Sequence, residues 1–173
     1  MQAQKLHEVF AVLKPDQSVA TVAVTPDIYD ALVRDFDHFR AHSLVSVYEF
    51  SAPWTSWERH PAGDEVVVLL SGQARFRIRT SSGEDSVTLA GAGTYIVVPR
   101  NAWHTAETTE ATRLLFITPG EARKTRTLSM PWTDDRRRLT RHDALIPDGC
   151  VVRQYRRALT DRGSRRHMTW SRR

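Results

Sequence analysis

The sequence predicts a mainly β protein, a closed barrel or jelly roll with one N-terminal helix and a basic C-terminal tail. Short apolar runs rich in β-branched residues, such as Val66-Val67-Val68-Leu69-Leu70, recur between residues 44 and 118. Residue types typical of tight turns separate these runs, as in Pro61-Ala62-Gly63-Asp64. A hydrophobic content of 40% over 173 residues is sufficient for the core of one domain.

Residues 1–42 are predicted to precede the barrel and to pack on it. Residues 6–14 and 19–24 are rich in β-forming types, and Pro15-Asp16-Gln17-Ser18 separates them with the chemistry of a turn. These features predict an N-terminal hairpin, and the rest of the segment predicts a helix.

The single helix is predicted over about residues 26–40. Thr25-Pro26-Asp27 is typical of a helix start, with a capping residue, a proline in the first turn and an acid near the positive end. His38 and His42 are expected on the solvent side of this helix or just past its end. The apolar residues that recur at helical spacing, and that should face the barrel, are Ile28, Leu32, Phe36 and Phe39.

Residues 43–120 are predicted to form the barrel. The turns between its strands are marked by glycine, proline, serine and asparagine. Many short strands with regular turns are typical of closed barrels and jelly rolls. The predicted strands are 44–50, 56–60, 66–70, 73–79, 86–89, 94–98 and 113–118.

One predicted strand alternates between cationic and apolar side chains. Its cationic face carries Arg75, Arg77 and Arg79, and its other face carries Ala74, Phe76 and Ile78. Burying three arginines without partners is costly, so we expect them to face solvent. The alternative is an anion-binding wall inside the barrel.

The basic charge of the chain is concentrated in residues 121–173. This segment holds 15 of the 25 Lys and Arg residues but 6 of the 20 Asp and Glu residues, whereas residues 1–120 carry a net charge of −4. With few apolar residues, the segment is predicted to be a loosely ordered tail. A solvated tail is the favoured interpretation, and a nucleic-acid-binding arm is the weaker alternative.

Four potential metal ligands lie on two strand-and-turn units. Glu58 and His60 are two residues apart, so in a strand their side chains leave the same face. Glu65 follows a turn that folds it back toward His60, and His104 is the best fourth candidate because it follows its own strand and turn. Two imidazoles and two carboxylates suit one divalent ion, Fe, Mn, Ni or Zn. Taken singly, each histidine is equally consistent with an ordinary half-buried side chain.

Around these residues the sequence resembles the cupin superfamily. The family's first motif is G(X)5HXH(X)3-4E(X)6G, and its second is G(X)5PXG(X)2H(X)3N. The resemblance covers residues 43–120, about half of the chain. The residues that match the two motifs at the correct spacing are His60, Glu65 and Gly72 for the first, and Gly93, Pro99 and His104 for the second.

Three positions depart from the two motifs. Glu58 stands where the first histidine is usual, which replaces a neutral ligand by a charged one. Asn101 replaces a glycine, a mild change because asparagine also tolerates left-handed backbone angles. Thr108 replaces the terminal asparagine.

The resemblance implies a small single-domain cupin of the cupin-2 type, a monocupin with a jelly-roll (double-stranded β-helix) barrel. Such a barrel is expected to bind one divalent metal ion and a small organic molecule, with metal-dependent dioxygenase or isomerase activity. The alternative is a non-catalytic ligand-binding or sensing cupin whose tail contacts nucleic acid or a partner. Because single-domain cupins often pair through an edge strand, a homodimer is also expected.

Aromatic residues near the candidate ligands suggest where a small molecule would lie. Tyr48 and Phe50 share a strand face and are predicted to bind the substrate. Trp54, Trp57 and Trp103 flank the ligands, either as apolar walls or as core packing. By alternation, Trp57 and Trp103 should face away from the metal.

Targeting features point to a cytoplasmic protein. The N-terminal residues do not resemble a signal peptide, and no apolar run approaches the roughly 18 residues of a membrane span. Cys150 is the single cysteine, so an intrachain disulfide is excluded.

Overall fold

The structure is a computed structural model that describes residues 2–120 and 124–127. Its described part is mainly β, as predicted, and includes one α-helix, α1 (Ile28–Asp35). The strands are β1 (Val9–Leu13), β2 (Val19–Ala23), β3 (Ser43–Phe50), β4 (Ser56–Arg59), β5 (Glu65–Ser71), β6 (Gln73–Thr80), β7 (Gly83–Ala90), β8 (Tyr95–Val98), β9 (Trp103–Glu107), β10 (Thr112–Pro119) and β11 (Lys124–Thr127).

The strands form two antiparallel sheets that enclose a common core. The six-stranded sheet has the order β2-β1-β3-β10-β5-β8, and the five-stranded sheet has the order β11-β4-β9-β6-β7. Inward-facing side chains of both sheets, such as Val67, Leu114, Phe76 and Ala106, belong to one buried apolar cluster. Two antiparallel sheets with a shared core confirm the predicted jelly-roll barrel.

The predicted N-terminal hairpin is present as β1 and β2, paired from Val9↔Ala23 to Leu13↔Val19. It extends the six-stranded sheet, because β1 also pairs with β3. The inner face of β1 carries Phe10 and Val12, which α1 covers with Ile28 and Leu32. The helix therefore packs on the barrel's extension, as the spacing of its apolar residues predicted.

The helix is shorter than the sequence predicted, and its start was assigned wrongly. Asp27, not Thr25, occupies the N-cap position, and its side chain makes no capping hydrogen bond. At the other end, Asp37, His38 and Phe39 have φ angles of 49°, 52° and 59°. This left-handed turn ends the helix before residue 40, because right-handed helical hydrogen bonding cannot continue through it.

His42 lies past the end of the helix, as expected, but it is buried. Its ring stacks on Phe39 with 5.5 Å between centroids and meets Phe36 edge-on. Its Nδ1 donates a hydrogen bond of 2.6 Å to the Arg40 carbonyl. His38 is exposed, as predicted.

The alternating strand β6 confirms the solvent-facing interpretation of its arginines. Ala74, Phe76 and Ile78 are buried in the core, whereas Arg75 is exposed. Arg77 and Arg79 also face outward, where both pair with Glu84 on β7.

Two strands were not predicted. Strand β9 fills the centre of the five-stranded sheet between β4 and β6. Strand β11 lies within the segment that was predicted to be tail and pairs with β4 from Lys124↔Arg59 to Thr127↔Ser56. The remainder of the predicted tail lies outside the described residues. Among the described helices, none has the length and apolar character needed to cross a lipid bilayer.

Two glycines permit close approaches in the barrel. Gly72 has a φ of 81°, and a Cβ there would lie 2.6 Å from Thr112 Oγ1. A Cβ on Gly120 would lie 1.9 Å from the Phe39 carbonyl oxygen. Gly120 therefore lets the end of β10 pack directly against the left-handed turn.

Candidate metal centre

Strands β4 and β9 place two of the predicted ligands opposite each other. Glu58 and His104 are direct partners in the antiparallel register of these strands. Because side chains alternate along a strand, the neighbours Trp57 and Arg59 point to the outer face. His60 follows the last residue of β4 and returns to the same inner side as Glu58.

Glu58, His60 and His104 form a buried trio of candidate ligands. One ligand atom from each lies within 4.8 Å of those of the other two. The relative exposures are 6% for Glu58, 4% for His60 and 0% for His104. Since N and O ligands lie about 2.0–2.2 Å from a transition-metal ion, two ligands of one ion are at most about 4.4 Å apart. Small side-chain shifts therefore close the trio around an ion, and the residues fit a divalent metal.

Glu65, at the start of β5, lies against both imidazoles. Its Oε1 is 3.4 Å from His60 Nε2, and its Oε2 is 3.1 Å from His104 Nε2. Glu65 is not one of the mutually close trio, but its carboxylate engages the same nitrogen atoms that would bind a metal. The structure therefore brings all four predicted residues together.

The site joins the two sheets of the barrel. Glu58 and His104 belong to the five-stranded sheet, whereas Glu65 belongs to the six-stranded sheet. Thr118 on β10 donates a hydrogen bond of 2.6 Å to Glu65 Oε1 and fixes that carboxylate from the second sheet. Thr118 was missed as a site residue. Its position could have identified it, because Thr118 lies two residues after Phe116 in a predicted strand and therefore shares the inward face of that strand.

The electrostatics of Glu65 and His104 reinforce each other. Burial raises the pKa of Glu65, but the charge of His60 and hydrogen bonds from His104 and Thr118 outweigh it and lower the pKa from 4.5 to about 2. Burial lowers the pKa of His104, but the hydrogen bond and charge of Glu65 prevail and raise its pKa above 6.5. Without metal, the site holds a carboxylate beside a readily protonated imidazole.

The two turns that carry the ligands are fastened to each other. The Arg100 backbone N–H donates to Asp64 Oδ1 at 2.7 Å, and its Nε donates to the Pro61 carbonyl at 2.6 Å. The Asn101 N–H donates to the His60 carbonyl at 3.1 Å. Asn101 has a φ of 65°, the left-handed angle expected at a position where the family has glycine. These bonds fix His60 relative to the turn that leads to His104.

Trp54 is the aromatic residue that faces the candidate ligands. Its ring centroid is 6.0 Å from that of His104, in an edge-on arrangement. It also packs against Phe50, Phe76 and Phe116, so it is a wall of the core beside the site. Trp54 was considered from the sequence but was not predicted to be a binding residue.

Trp57 and Trp103 face away from the site, as alternation predicted. The guanidinium of Arg59 lies 4.8 Å from the centre of the Trp103 ring, and that of Arg79 lies 4.5 Å from the Trp57 ring. These cation–π contacts stabilise the outer face of the five-stranded sheet.

The two predicted substrate-binding residues lie on the inner side of β3. Phe50 is 3% exposed and reaches the site only through Trp54. Tyr48 packs against Phe10 and Phe116, and its hydroxyl lies 2.6 Å from that of Tyr29 on α1. Tyr48 therefore connects the barrel core to the helix, and its role in substrate binding stays a prediction.

Comparison with known proteins gave one family match. The family model described as "Cupin domain" matches residues 46–118. A search of the curated proteins gave no match.

Several solved structures resemble this chain at low identity. A variant of Bacillus subtilis oxalate decarboxylase is 23% identical, with a TM-score of 0.40, over 50% of this chain and 23% of that one. A cupin-2 domain containing protein from Shewanella frigidimarina is 22% identical, with a TM-score of 0.37, over 44% of this chain and 70% of that one. Hydroquinone 1,2-dioxygenase from a Sphingomonas species is 13% identical, with a TM-score of 0.40, over 46% of this chain and 60% of that one. The chain thus spans less than a quarter of the oxalate decarboxylase.

Proposed function

We propose that this protein, whose residues 46–118 match the family model of the cupin domain, is a metal-binding cupin that holds a small organic molecule beside the metal. The observation that carries the proposal is the buried trio of Glu58, His60 and His104, whose ligand atoms converge within 4.8 Å. The chemistry that we propose is oxygen-dependent oxidation of the dioxygenase type, or metal-assisted isomerisation.

Each residue of the proposed site has a distinct role. Glu58, His60 and His104 would hold the ion, and Glu65 would complete the set once its contacts to the imidazoles are exchanged for the metal. A bound divalent ion supplies Lewis-acid polarisation or, if redox-active, electrons for dioxygen. Thr118 keeps the Glu65 carboxylate oriented, and Trp54 shields the site from water.

The barrel interior favours an uncharged ligand. Among the described residues, none of the buried side chains is a lysine or an arginine. The arginines of β6 all face outward, and the surroundings of the site are apolar and aromatic. Because two carboxylates would formally neutralise a divalent ion, an anionic ligand would find little attraction there. We therefore propose a small, neutral and partly aromatic substrate.

A pair of ligand series tests this proposal. Metal-loaded protein would be titrated with small aromatic alcohols and with carboxylates of the same ring, with calorimetry and oxygen uptake as readouts. We expect at least about tenfold tighter binding of the neutral member of each pair. Turnover of a neutral member would identify an enzyme. Tighter binding of the carboxylates would contradict the proposed ligand class.

A control variant distinguishes the loss of a candidate metal ligand from the loss of any histidine. His104→Ala should lose ligand binding together with metal, whereas His38→Ala, at an exposed histidine, should leave both unchanged. Ligand binding that survives without metal in His104→Ala would instead support a metal-free binding barrel.

The sensing alternative depends on the basic segment that follows β11. Residues 128–173 hold 12 arginines, a composition suited to phosphate contacts. A chain ending after Thr127 retains β11 and its pairing with β4. If this shortened chain loses salt-sensitive DNA binding that the full chain shows, the sensing function is supported. DNA binding by neither chain would contradict a sensing function that acts through nucleic acid.

A further inference from the structure

Beside the candidate metal centre, two buried polar groups take no part in the hydrogen bonds among the described residues. Outside the candidate ligands, the buried side-chain atoms that have no hydrogen-bond partner in the described part of the chain are Trp54 Nε1, Ser56 Oγ and Arg59 Nε. Arg59 belongs to the outer face, where its guanidinium lies 4.8 Å from the centre of the Trp103 ring. Trp54 and Ser56 lie on the inner side of the barrel. Because folded proteins pair nearly all of their buried polar groups, these two require an explanation.

The indole of Trp54 is surrounded by other rings. Trp54 is 6% exposed and packs against Phe50, Phe76 and Phe116. Its ring also meets that of His104 edge-on, with 6.0 Å between centroids. Phenyl rings offer no conventional hydrogen-bond acceptor, and His104 is a candidate metal ligand. The indole N–H is therefore a buried donor next to the proposed metal, and none of its ring neighbours serves as its acceptor.

Ser56 places a second polar group on the same side of the barrel. It is the first residue of β4, two residues before Glu58, so the two side chains leave the same face of the strand. The backbone N–H of Trp54 donates to the carbonyl of Ala106 at 2.9 Å, and Ala106 lies two residues after His104 on β9. The indole and the Ser56 hydroxyl therefore flank the candidate metal centre on the two strands that carry Glu58 and His104.

We propose that the Trp54 Nε1–H is the donor that orients the ligand, and that this ligand carries an uncharged oxygen acceptor, such as the carbonyl of an aryl ketone. The inference rests on the proposed function, because it requires a small molecule beside the metal. Ser56, whose hydroxyl can donate or accept, would provide a second contact to the polar end of the ligand. A site that contains a buried donor selects against a ligand without the acceptor, because binding such a ligand leaves the donor unpaired.

A buried water is a poorer partner for this donor than a ligand. A buried water typically makes about three hydrogen bonds, whereas three of the four rings around Trp54 are phenyl rings. A small aromatic ketone suits these surroundings better, because its ring contacts the apolar side chains and its oxygen pairs with the indole. Such a combination of apolar walls and a few placed polar groups is typical of small-molecule sites.

Two ligands of the same shape test the role of the donor. Acetophenone and α-methylstyrene differ in that a carbonyl oxygen of the first is a methylene group in the second. Calorimetry on the full chain, with and without added zinc, would give the ratio of their dissociation constants. In wild type we expect acetophenone to bind at least about tenfold more tightly, and Trp54→Phe should reduce this preference about tenfold. Trp103→Phe, at a tryptophan of the outer face, is the matched control and should retain the preference.

A second variant preserves the packing of the core. Benzothienylalanine at position 54 has the shape of tryptophan, but sulfur replaces the indole N–H. We expect this variant to bind α-methylstyrene as wild type does and to lose the preference for acetophenone. A preference that is unchanged in both variants of Trp54 would overturn the proposal. Equal weakening of both ligands by benzothienylalanine would also overturn it, because Trp54 would then serve packing alone.

Metal content measured on the same samples separates this inference from the proposed function. A preference that depends on Trp54 in protein that binds no zinc would support the donor and contradict the metal centre. Zinc binding with a preference that does not depend on Trp54 would contradict the donor and leave the metal centre intact. Binding of neither ligand by wild-type protein, with or without zinc, would overturn the inference.

Discussion

At the level of single residues, the site depends on how Glu65 is held. Glu65 lies against both imidazoles and accepts a hydrogen bond from the Thr118 hydroxyl, so its carboxylate links His60 and His104 to β10. Hydrogen bonds to a metal-binding carboxylate orient it and tune its basicity, and their loss typically costs 10–100-fold in metal affinity.

Thr118→Val should therefore weaken metal binding by about 10–100-fold. The substitution preserves shape but removes the hydroxyl that donates to Glu65 Oε1. Competition with a fluorescent chelator would measure the dissociation constant, and Thr88→Val is the control for loss of a threonine hydroxyl elsewhere. Equal affinity in wild type and Thr118→Val would show that metal binding does not depend on the hydrogen bond from Thr118 to Glu65.

The pKa shifts predict how the metal-free protein responds to pH. The pKa of His104 is raised above 6.5, so its contribution to stability is complete below pH 6.5 and is lost as pH rises through the raised value. The pKa of Glu65 is lowered from 4.5 to about 2, so its contribution is present above pH 4.5 and is lost as pH falls toward 2. Together they favour the folded state most between about pH 4.5 and 6.5.

Bound metal should offset the loss of stability that the metal-free protein shows as pH rises through the raised pKa of His104. The ion competes with a proton for His104, so binding strengthens as pH rises. Thermal melts from pH 5 to 9, with chelator and with metal, should show a metal-induced rise in Tm that grows with pH. A rise of the same size at every pH would mean that His104 is not a ligand.

At the level of secondary structure, the sequence predicted most of the strands but not β9. The predicted strands have β-branched runs or clear alternation, whereas Trp103–Glu107 has neither and follows a turn without a strong apolar pattern. Its strand conformation comes from pairing with β6 and β4, which are distant in the sequence. The same dependence on tertiary contacts explains why the bond from Thr118 to Glu65, 53 residues apart, was not predicted.

The helix boundary shows a related limit of sequence patterns. Helical spacing continues through Phe36 and Phe39, but the chain turns into left-handed angles at Asp37. Phe39 still reaches the apolar cluster with Ile28 and Leu32. The helical spacing thus identified the buried residues correctly, although the backbone at residues 37–39 is a left-handed turn and not the predicted helix.

Gly120→Ala tests the contact between β10 and this left-handed turn. The added Cβ would lie 1.9 Å from the Phe39 carbonyl oxygen, and backbone on both sides limits relaxation. We expect a loss of about 3 kcal/mol in the free energy of unfolding, measured by urea denaturation. Gly63→Ala, whose Cβ would meet only the Pro119 side chain at 3.2 Å, should cost less. An unchanged stability in Gly120→Ala would mean that the turn moves freely away from β10.

For the whole molecule, the candidate metal centre matters because it connects the two sheets. Glu58 and His104 lie on one sheet, and Glu65 with its partner Thr118 lies on the other. An ion held by residues of both sheets binds the folded barrel and not the unfolded chain, so it should stabilise the whole domain. At 100 times its dissociation constant, a metal adds about 2.7 kcal/mol.

The family resemblance and the spacing of His60, Glu65 and His104 predicted both the barrel and the location of this centre. Glu58 departs from the family motif, but its direct register with His104 supports it as a ligand.

The most direct measurement is the metal content of untagged protein, determined by mass spectrometry for wild type and His104→Ala. We expect close to one equivalent of iron, manganese, nickel or zinc in wild type and a loss of most of it in His104→Ala, with His38→Ala unchanged. Absence of metal in wild type, together with no binding of added metal, would contradict the metal centre. The buried Glu and His residues would then only pair with one another inside the barrel.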